Sequence, residues 1–432
     1  KADSDADLLA MQCGDFYEFF DADAECVADE LDLTTSTKSS GGESYPMAGV
    51  PVSELTPYLT ALVERGYTVA VADQFEDDSG DFYREITRRV TPGTLLETAD
   101  SDAQYLAAVV APAADDNAAD SGPYGLAFAD ITTGQFLVTE VADADSAVAE
   151  CYRFDPVELL PGPAVRTDDA FLDAVTDRSD AEVTLHTTDA FAPGRATHAV
   201  TEQFGDETAD SIGLDSELAR RAAGAILAYV AETGVGVRQS MTRLQPYTAD
   251  DHLTLDATTQ RNLELVETMQ GDSDGSLLAT LDHTETSPGR RLLREWLTRP
   301  RRDHTTLDRR LDSVAAVASA ALSRQRLQET LAGASDLERL ASRVASGSAG
   351  ATELLSIRDT LALLPDIASE LTDGELADSP LSGVLADIDR DAAADLRATL
   401  GDAIVADPPQ TVTQGELFKR GYDDYLDDLI DQ

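Results

Sequence analysis

A surplus of 50 negative charges, 82 Asp and Glu against 32 Lys and Arg, is the strongest constraint on what these 432 residues can fold into. An unpaired carboxylate is costly to bury, so nearly all of the acids must lie on a surface. They are spread along the whole chain and not gathered in a tail. Such a surface repels itself in dilute buffer, but at molar salt the Debye length shrinks to about 3 Å and the repulsion is screened. The composition is therefore that of a halophilic protein. Only Lys1, Lys38 and Lys419 are lysines. The apolar fraction of 42% is ordinary for a globular protein, which separates the chain from disordered acidic segments. Charge alone argues against nucleic acid as a partner.

Several other classes fall away. No run of 18 apolar residues occurs, so no membrane-spanning helix is expected. The acidic start, Lys1-Ala2-Asp3-Ser4-Asp5, leads into no long apolar stretch, which argues against a signal peptide. Cys13, Cys26 and Cys151 form no CxxC pair, and the five His include no HExxH. Neither a disulfide framework nor a metal site is implied, and reduced thiols suit a cytoplasmic protein. The first residue is not Met and the last stretch reads as an unfinished helix, so both ends are expected to be cuts.

Periodicity separates three blocks. Residues 1–96 read as an α/β domain, with helices expected over Phe19 to Leu31 and Val52 to Arg65, a Ser/Gly turn at Ser39 to Gly42, and strands at Tyr67 to Ala72 and Ile86 to Val90. A linker is expected at 97–105. Residues 106–235 alternate strands (Leu106 to Ala111, Tyr124 to Asp130, Gln135 to Glu140, Val157 to Leu160) with helices such as Ala144 to Tyr152. An acidic loop, Ala113 to Gly122, joins the first two strands. The block closes on a helix, Asp215 to Glu232, with Leu218, Ala222, Ile226 and Tyr229 on one face and Asp215 or Ser216 as its cap. Residues 240–432 read as mainly helical. Apolar stripes are expected at Leu263, Val266 and Met269, at Leu292, Leu293, Trp296 and Leu297, and at Leu337, Leu340 and Val344.

The chemistry concentrates in Gly14-Asp15-Phe16-Tyr17-Glu18-Phe19-Phe20. Aromatics beside a helix start usually belong to a core. The alternative is an exposed aromatic wedge that enters and unstacks a base step, beside a glycine that lets the backbone approach a duplex. Glu18 is open to the same choice, because glutamate is also favoured at helix starts.

This segment resembles the mismatch-reading motif of the MutS family. Tyr45-Pro46-Met47-Ala48-Gly49-Val50-Pro51 and Arg89-Val90-Thr91-Pro92-Gly93-Thr94 follow at similar spacing. Leu106-Ala107-Ala108 and Asp130-Ile131-Thr132-Thr133-Gly134 look like that family's connector. Thr259 to Leu265, Ser287 to Asp303, Ser335 to Leu340 and Gly421 to Asp427 resemble its core. The likeness runs in order through nearly the whole chain. It implies an α/β mismatch-recognition domain, an α/β ribonuclease-H-like connector and a mainly helical core and lever domain, ending before the clamp and ATPase domains.

The resemblance also implies roles. Phe16 takes the place of the phenylalanine that stacks into the mispaired site, and Glu18 that of the glutamate that hydrogen-bonds the mispaired base. Gly14, Lys38, Met47 and Arg88 fall at or near positions bordering the DNA. The implied partners are duplex DNA with mismatches or small insertion/deletion loops, a second copy of the full-length chain, and a MutL-type protein. ATP and Mg would belong to the C-terminal part of relatives. A nucleoid-associated, cytoplasmic protein follows. No GxxxxGK[ST] occurs in this sequence, so no ATPase is expected of it. A mispaired step already lacks good pairing and costs less to open, which gives discrimination without reading a sequence.

Three further features bear on this reading. Gly80-Asp81-Phe82-Tyr83-Arg84-Glu85 nearly repeats the motif, but with no helix after it Phe82 reads as a packing or loop residue. Arg290, Arg291, Arg294, Arg299, Arg301 and Arg302 flank a Leu/Trp stripe and read as packing more readily than as a phosphate track. Asp130 ends a strand in the connector, where clustered carboxylates would support a metal-dependent nuclease, yet Asp-Ile-Thr-Thr-Gly also suits a turn. A MutS relative serving recombination or as a scaffold is the other alternative. Such relatives lack the front domain that GDFYE marks.

Overall fold

The computed structural model describes residues 6–31, 33–40, 43–63, 65–76, 82–94, 103–112, 122–177, 179, 181–205, 216–233, 237–247, 251–253, 255–409 and 415–431. The acidic start, most of the loop expected at 113–122, most of the linker, and Gly41, Gly42, Gly80, Asp81 and Asp215 lie outside them. The chain divides into two compact units, Lys1–Thr248 and Ala249–Gln432.

The first unit holds two six-stranded sheets. The first has strands β1 (Leu8–Cys13), β2 (Phe16–Phe20), β3 (Ser36–Ser40), β4 (Glu43–Pro51), β5 (Val69–Glu76) and β6 (Phe82–Val90), in the order β3-β4-β2-β1-β5-β6. Helices α1 (Asp21–Leu31) and α2 (Leu55–Val63) pack on one face. Strand alternation sends Leu8, Ala10, Tyr17, Phe19, Ala48, Val50, Val69 and Val71 to that face, where they form one core with Val27, Leu59 and Leu62.

The sequence reading placed Phe19 and Phe20 at the start of a helix, but they belong to β2. The chain passes straight from strand to helix at Asp21, at φ 53°. Expected turn residues Ser39 and Ser40 lie in β3, paired with Ser44 and Glu43.

The second sheet has strands β7 (Tyr105–Val110), β8 (Tyr124–Asp130), β9 (Gln135–Val141), β10 (Glu158–Pro161), β11 (Glu182–Val183) and β12 (Arg243–Pro246), in the order β11-β10-β7-β8-β9-β12. β7, β8 and β9 form an antiparallel meander, β10 runs parallel to β7 and β11 to β10. Central strands are buried on both faces. On one, α3 (Ala144–Phe154) and α4 (Asp169–Thr176) share a core with Phe128 and Leu159. On the other, α5 (Pro193–Phe204) and α6 (Glu217–Thr233) do so with Phe136 and Leu160. Ser216 caps α6 by accepting the Ala219 N–H at 3.0 Å.

The second unit is mainly helical: α7 (Ala257–Asn262), α8 (Leu277–Leu281), α9 (Ser287–Thr298), α10 (His304–Ser319), α11 (Ala321–Leu331), α12 (Leu337–Ala345), α13 (Ala351–Thr372), α14 (Arg390–Ala403) and α15 (Asp424–Ile430). Asp or Ser/Thr caps open many of them, among them Asp256, Ser276, Thr286, Asp303, Asp336 and Asp389. The stripe expected at Leu263, Val266 and Met269 does not exist. α7 ends at Asn262 and Glu264 takes φ 48°, which breaks the helical period.

Candidate nucleic-acid interface

The motif at 14–20 is a hairpin. β1 and β2 pair antiparallel with Cys13 opposite Phe16, leaving Gly14 and Asp15 as a two-residue turn. Gly14 has φ 66°, as a type II′ turn demands of its first central residue, and that turn suits the twist of paired strands. A Cβ on Gly14 would find no atom within 4 Å, so the glycine serves the backbone angle and leaves open space outside it.

Alternation along β2 then sorts the aromatics. Phe19 is sealed in the core and Tyr17 is 7% exposed, whereas Phe16 is 47% exposed on the face away from α1 and α2. Tyr17 donates to Asp73 at 2.5 Å, and Thr87 Oγ1 donates to the other oxygen of Asp73 at 2.7 Å. Burial, and then Asp73, pushes the Tyr17 hydroxyl well above the usual tyrosine range.

Glu18 lies two residues on, on the Phe16 face, and opposite Gly49 of β4. Its carboxylate accepts from Lys38 Nζ at 2.5 Å, and Lys38 also stands 5.6 Å from the Phe20 ring centre. The point where Gly49 would carry a Cβ lies 3.6 Å from Met47 Sδ, 3.8 Å from Phe16 Cδ1 and 3.9 Å from Glu18 Cγ. Phe16, Glu18 and Met47 therefore converge on one spot of the sheet, with Lys38 at its border. Cys13 joins them: burial, and then Glu18 beside it, raises its thiol above the ordinary value.

Arg88 is not brought to this place. It pairs with Val71, a core residue, and its charge acts on the Tyr17 hydroxyl, so it belongs to the helix side. A bulge between Val71 and Ala72 shifts the register and sets its face. Arg84 occupies the Phe16 side instead. It reaches from β6 across β5, donating from Nε to Gln12 O at 2.6 Å and from Nη2 to Gln74 Oε1 at 3.0 Å. The sequence reading did not single out Arg84, Gln12 or Gln74. The only hint was the near-repeat at 80–85, which was weighed for its phenylalanine. Phe82 itself is the first residue of β6 and 61% exposed, which corrects its reading as a packing residue.

The other candidates are accounted for within the fold. Asp130 is buried and accepts from Thr132 N at 2.9 Å, Thr132 Oγ1 at 2.8 Å and Thr133 Oγ1 at 2.7 Å. Its carboxylate organises the turn into β9. Arg291 forms a two-pronged pair with Asp336, at 2.6 and 3.2 Å, and Arg290 donates to Asp282 at 2.7 Å. Arg299 lies 3.6 Å from Glu295. Arg290, Arg291 and Arg299 are thus each held by a carboxylate of the helical unit.

Comparison with known proteins decides the family. Models of MutS domain I, MutS domain II and MutS domain III match residues 1–99, 104–240 and 258–430. The chain belongs to the MutS family. It is 60% identical over its whole length to DNA mismatch repair protein MutS 1 of Haloarcula marismortui, covering 47% of that protein. It is 59% identical, again over its whole length, to MutS 1 of Halobacterium salinarum, covering 49%. A more distant relative, MutS of Trichormus variabilis, is 36% identical over 98% of this chain, which covers 50% of it. The MutS chain described here thus spans about half the length of the curated relatives it matches.

Proposed function

We propose that this chain reads mispaired or bulged duplex DNA, with Phe16 as the wedge that enters the weakened step and Glu18 as the group that meets the displaced base edge. One observation carries the reading: of the aromatics in GDFYEFF, Phe16 alone is well exposed, next to a tight turn, with Glu18 on the same face. Stacking of its ring on a base returns roughly 1–3 kcal/mol, enough to offset opening a damaged step but not a sound one. Lys38 offsets the charge of Glu18 beside a polyanion. The names of the relatives support mismatch repair as the process.

The strand order of the second sheet, with a meander and two parallel strands beyond β7, supports a ribonuclease-H-like connector. No step of this reading passes through a nucleotide, because the sequence contains no phosphate-binding GxxxxGK[ST] loop. A second copy of the chain, a MutL-type protein, and ATP with Mg are proposed for the longer relatives' architecture and carry no part of the wedge chemistry.

The test is a comparison of G·T and single-base-bulge duplexes with a matched homoduplex in molar salt. Phe16→Ala is expected to abolish the preference while near-UV dichroism stays unchanged. An equal preference in variant and parent would refute the wedge.

A further inference from the structure

We propose that Arg84 is a positioning residue for mismatch reading, holding the Gly14–Asp15 turn so that Phe16 is presented in one orientation. The proposal rests on the wedge reading above and adds a residue that the motif does not contain.

Five hydrogen bonds tie three strands together at this point. Arg84 Nε donates to Gln12 O at 2.6 Å, and Arg84 Nη2 to Gln74 Oε1 at 3.0 Å. Gln74 N donates to Gln12 Oε1 at 2.9 Å. Gly14 N donates to Gln74 Oε1 and Gln12 Nε2 to Gly14 O, each at 3.3 Å. The guanidinium also lies 3.5 Å from Cys13 Sγ, the residue directly opposite Phe16. Every group in this network sits at or beside the turn, and Val52 N secures its other side by donating to Asp15 O at 2.9 Å.

A two-residue turn leaves few internal bonds to fix its orientation, and an exposed ring has little packing to hold it. A planar guanidinium that reaches a backbone carbonyl and a neighbouring amide oxygen from a third strand supplies the missing restraint. Its Nε and Nη2 are spent inside the protein, which distinguishes this arginine from one extended toward a phosphate.

Positioning and phosphate contact give different outcomes. Arg84→Ala is expected to lower the mismatch-to-homoduplex affinity ratio on the order of tenfold, the worth of a charge-assisted hydrogen bond, with homoduplex affinity and its salt dependence unchanged. Arg84→Lys should restore part of the ratio. Equal losses on mismatched and matched DNA, with the salt slope reduced by about one, would mark a phosphate contact and overturn the proposal. No change in either affinity would also overturn it.

A second readout needs no DNA. The limiting alkylation rate of the Cys13 thiolate, taken from the pH profile so that loss of the neighbouring guanidinium charge does not enter, and followed by peptide mass with Cys26 and Cys151 as internal references, should rise several-fold in Arg84→Ala, because the turn loosens while the cores stay intact. An unchanged Cys13 rate would sink the positioning role even if the wedge reading holds. A faster rate in a protein whose parent shows no mismatch preference would keep the restraint on the turn and remove the wedge.

Discussion

Tyr229 and Glu158 meet at 2.6 Å, hydroxyl to carboxylate, at a buried joint between the two sheets of the first unit. Glu158 also accepts from Thr91 Oγ1 at 2.9 Å, Gly93 N at 2.8 Å and Thr184 Oγ1 at 2.5 Å. Thr91 and Gly93 directly follow β6, while Glu158 lies in β10 of the second sheet, Thr184 directly follows β11 and Tyr229 lies in α6. The segment leaving the first sheet is thus bonded to the second sheet through a buried side chain. A Cβ on Gly93 would come within 2.5 Å of Glu158 Oε2, so only glycine fits there.

Removing the tyrosine hydroxyl leaves that buried carboxylate one donor short. Tyr229→Phe is expected to cost about 1–3 kcal/mol of stability. Denaturant titration at fixed molar salt measures it, and a loss below a few tenths would show that the joint does not depend on this bond.

Phe82 provides the sharper control for the wedge. It is more exposed than Phe16, faces the same side of the sheet, and sits in a near copy of the motif. It lacks a partner glutamate two residues on, since Arg84 stands there. Phe82→Ala should leave the mismatch-to-homoduplex ratio within about twofold of the parent. A loss equal to that of Phe16→Ala would transfer the wedge role to the wrong copy.

These residues show what a sequence makes legible. Alternation in FYEFF would have revealed a strand with Phe16 and Glu18 on one side, but Asp and Ala after it favoured an early helix start. Phe16, Glu18, Lys38 and Met47 come together because short connections make β2, β4 and β3 antiparallel neighbours. Arg88 was misplaced for a physical reason: the bulge at Val71/Ala72 is a property of pairing, and one extra residue flips the face. Arg84 was invisible because its bonds to Gln12 and Gln74 span 72 and 10 positions. The false helix at Leu263 to Met269 had the right spacing, but the helix stops at Asn262, and with Glu264 at positive φ the chain runs on through turns and bends.

The charge surplus has its own consequence. With 82 acids and 32 bases, repulsion in dilute buffer acts over roughly 30 Å at 0.01 M salt and over about 3 Å at 1 M. Near-UV dichroism is expected to be lost on dialysis into low salt and regained on return. A full native signal in salt-free buffer would refute the halophilic reading.

The helical unit offers a pH test through Asp336. Burial pushes its carboxyl up, but hydrogen bonds and charge from Arg291, with the Arg339 N–H, outweigh that and hold it below the usual range. Arg291 and Asp336 are both largely buried, at 13% and 14% side-chain exposure, so solvent screens the pair little. A carboxyl with a depressed folded value contributes stability that is complete above the unfolded value, about 3.9 for Asp. That stability is lost as pH falls through the lower folded value. Asp336 also caps α12 by accepting the Arg339 N–H at 3.2 Å, a role that Asn retains. Asp336→Asn therefore removes the charge while keeping the cap, and should cost roughly 1–3 kcal/mol at neutral pH. The difference between parent and variant should shrink below about pH 4 as the parent's carboxyl protonates. Denaturant midpoints across pH 2.5 to 7 in molar salt would measure this, and a difference that stays constant across that range would show that the pair contributes no pH-dependent stability.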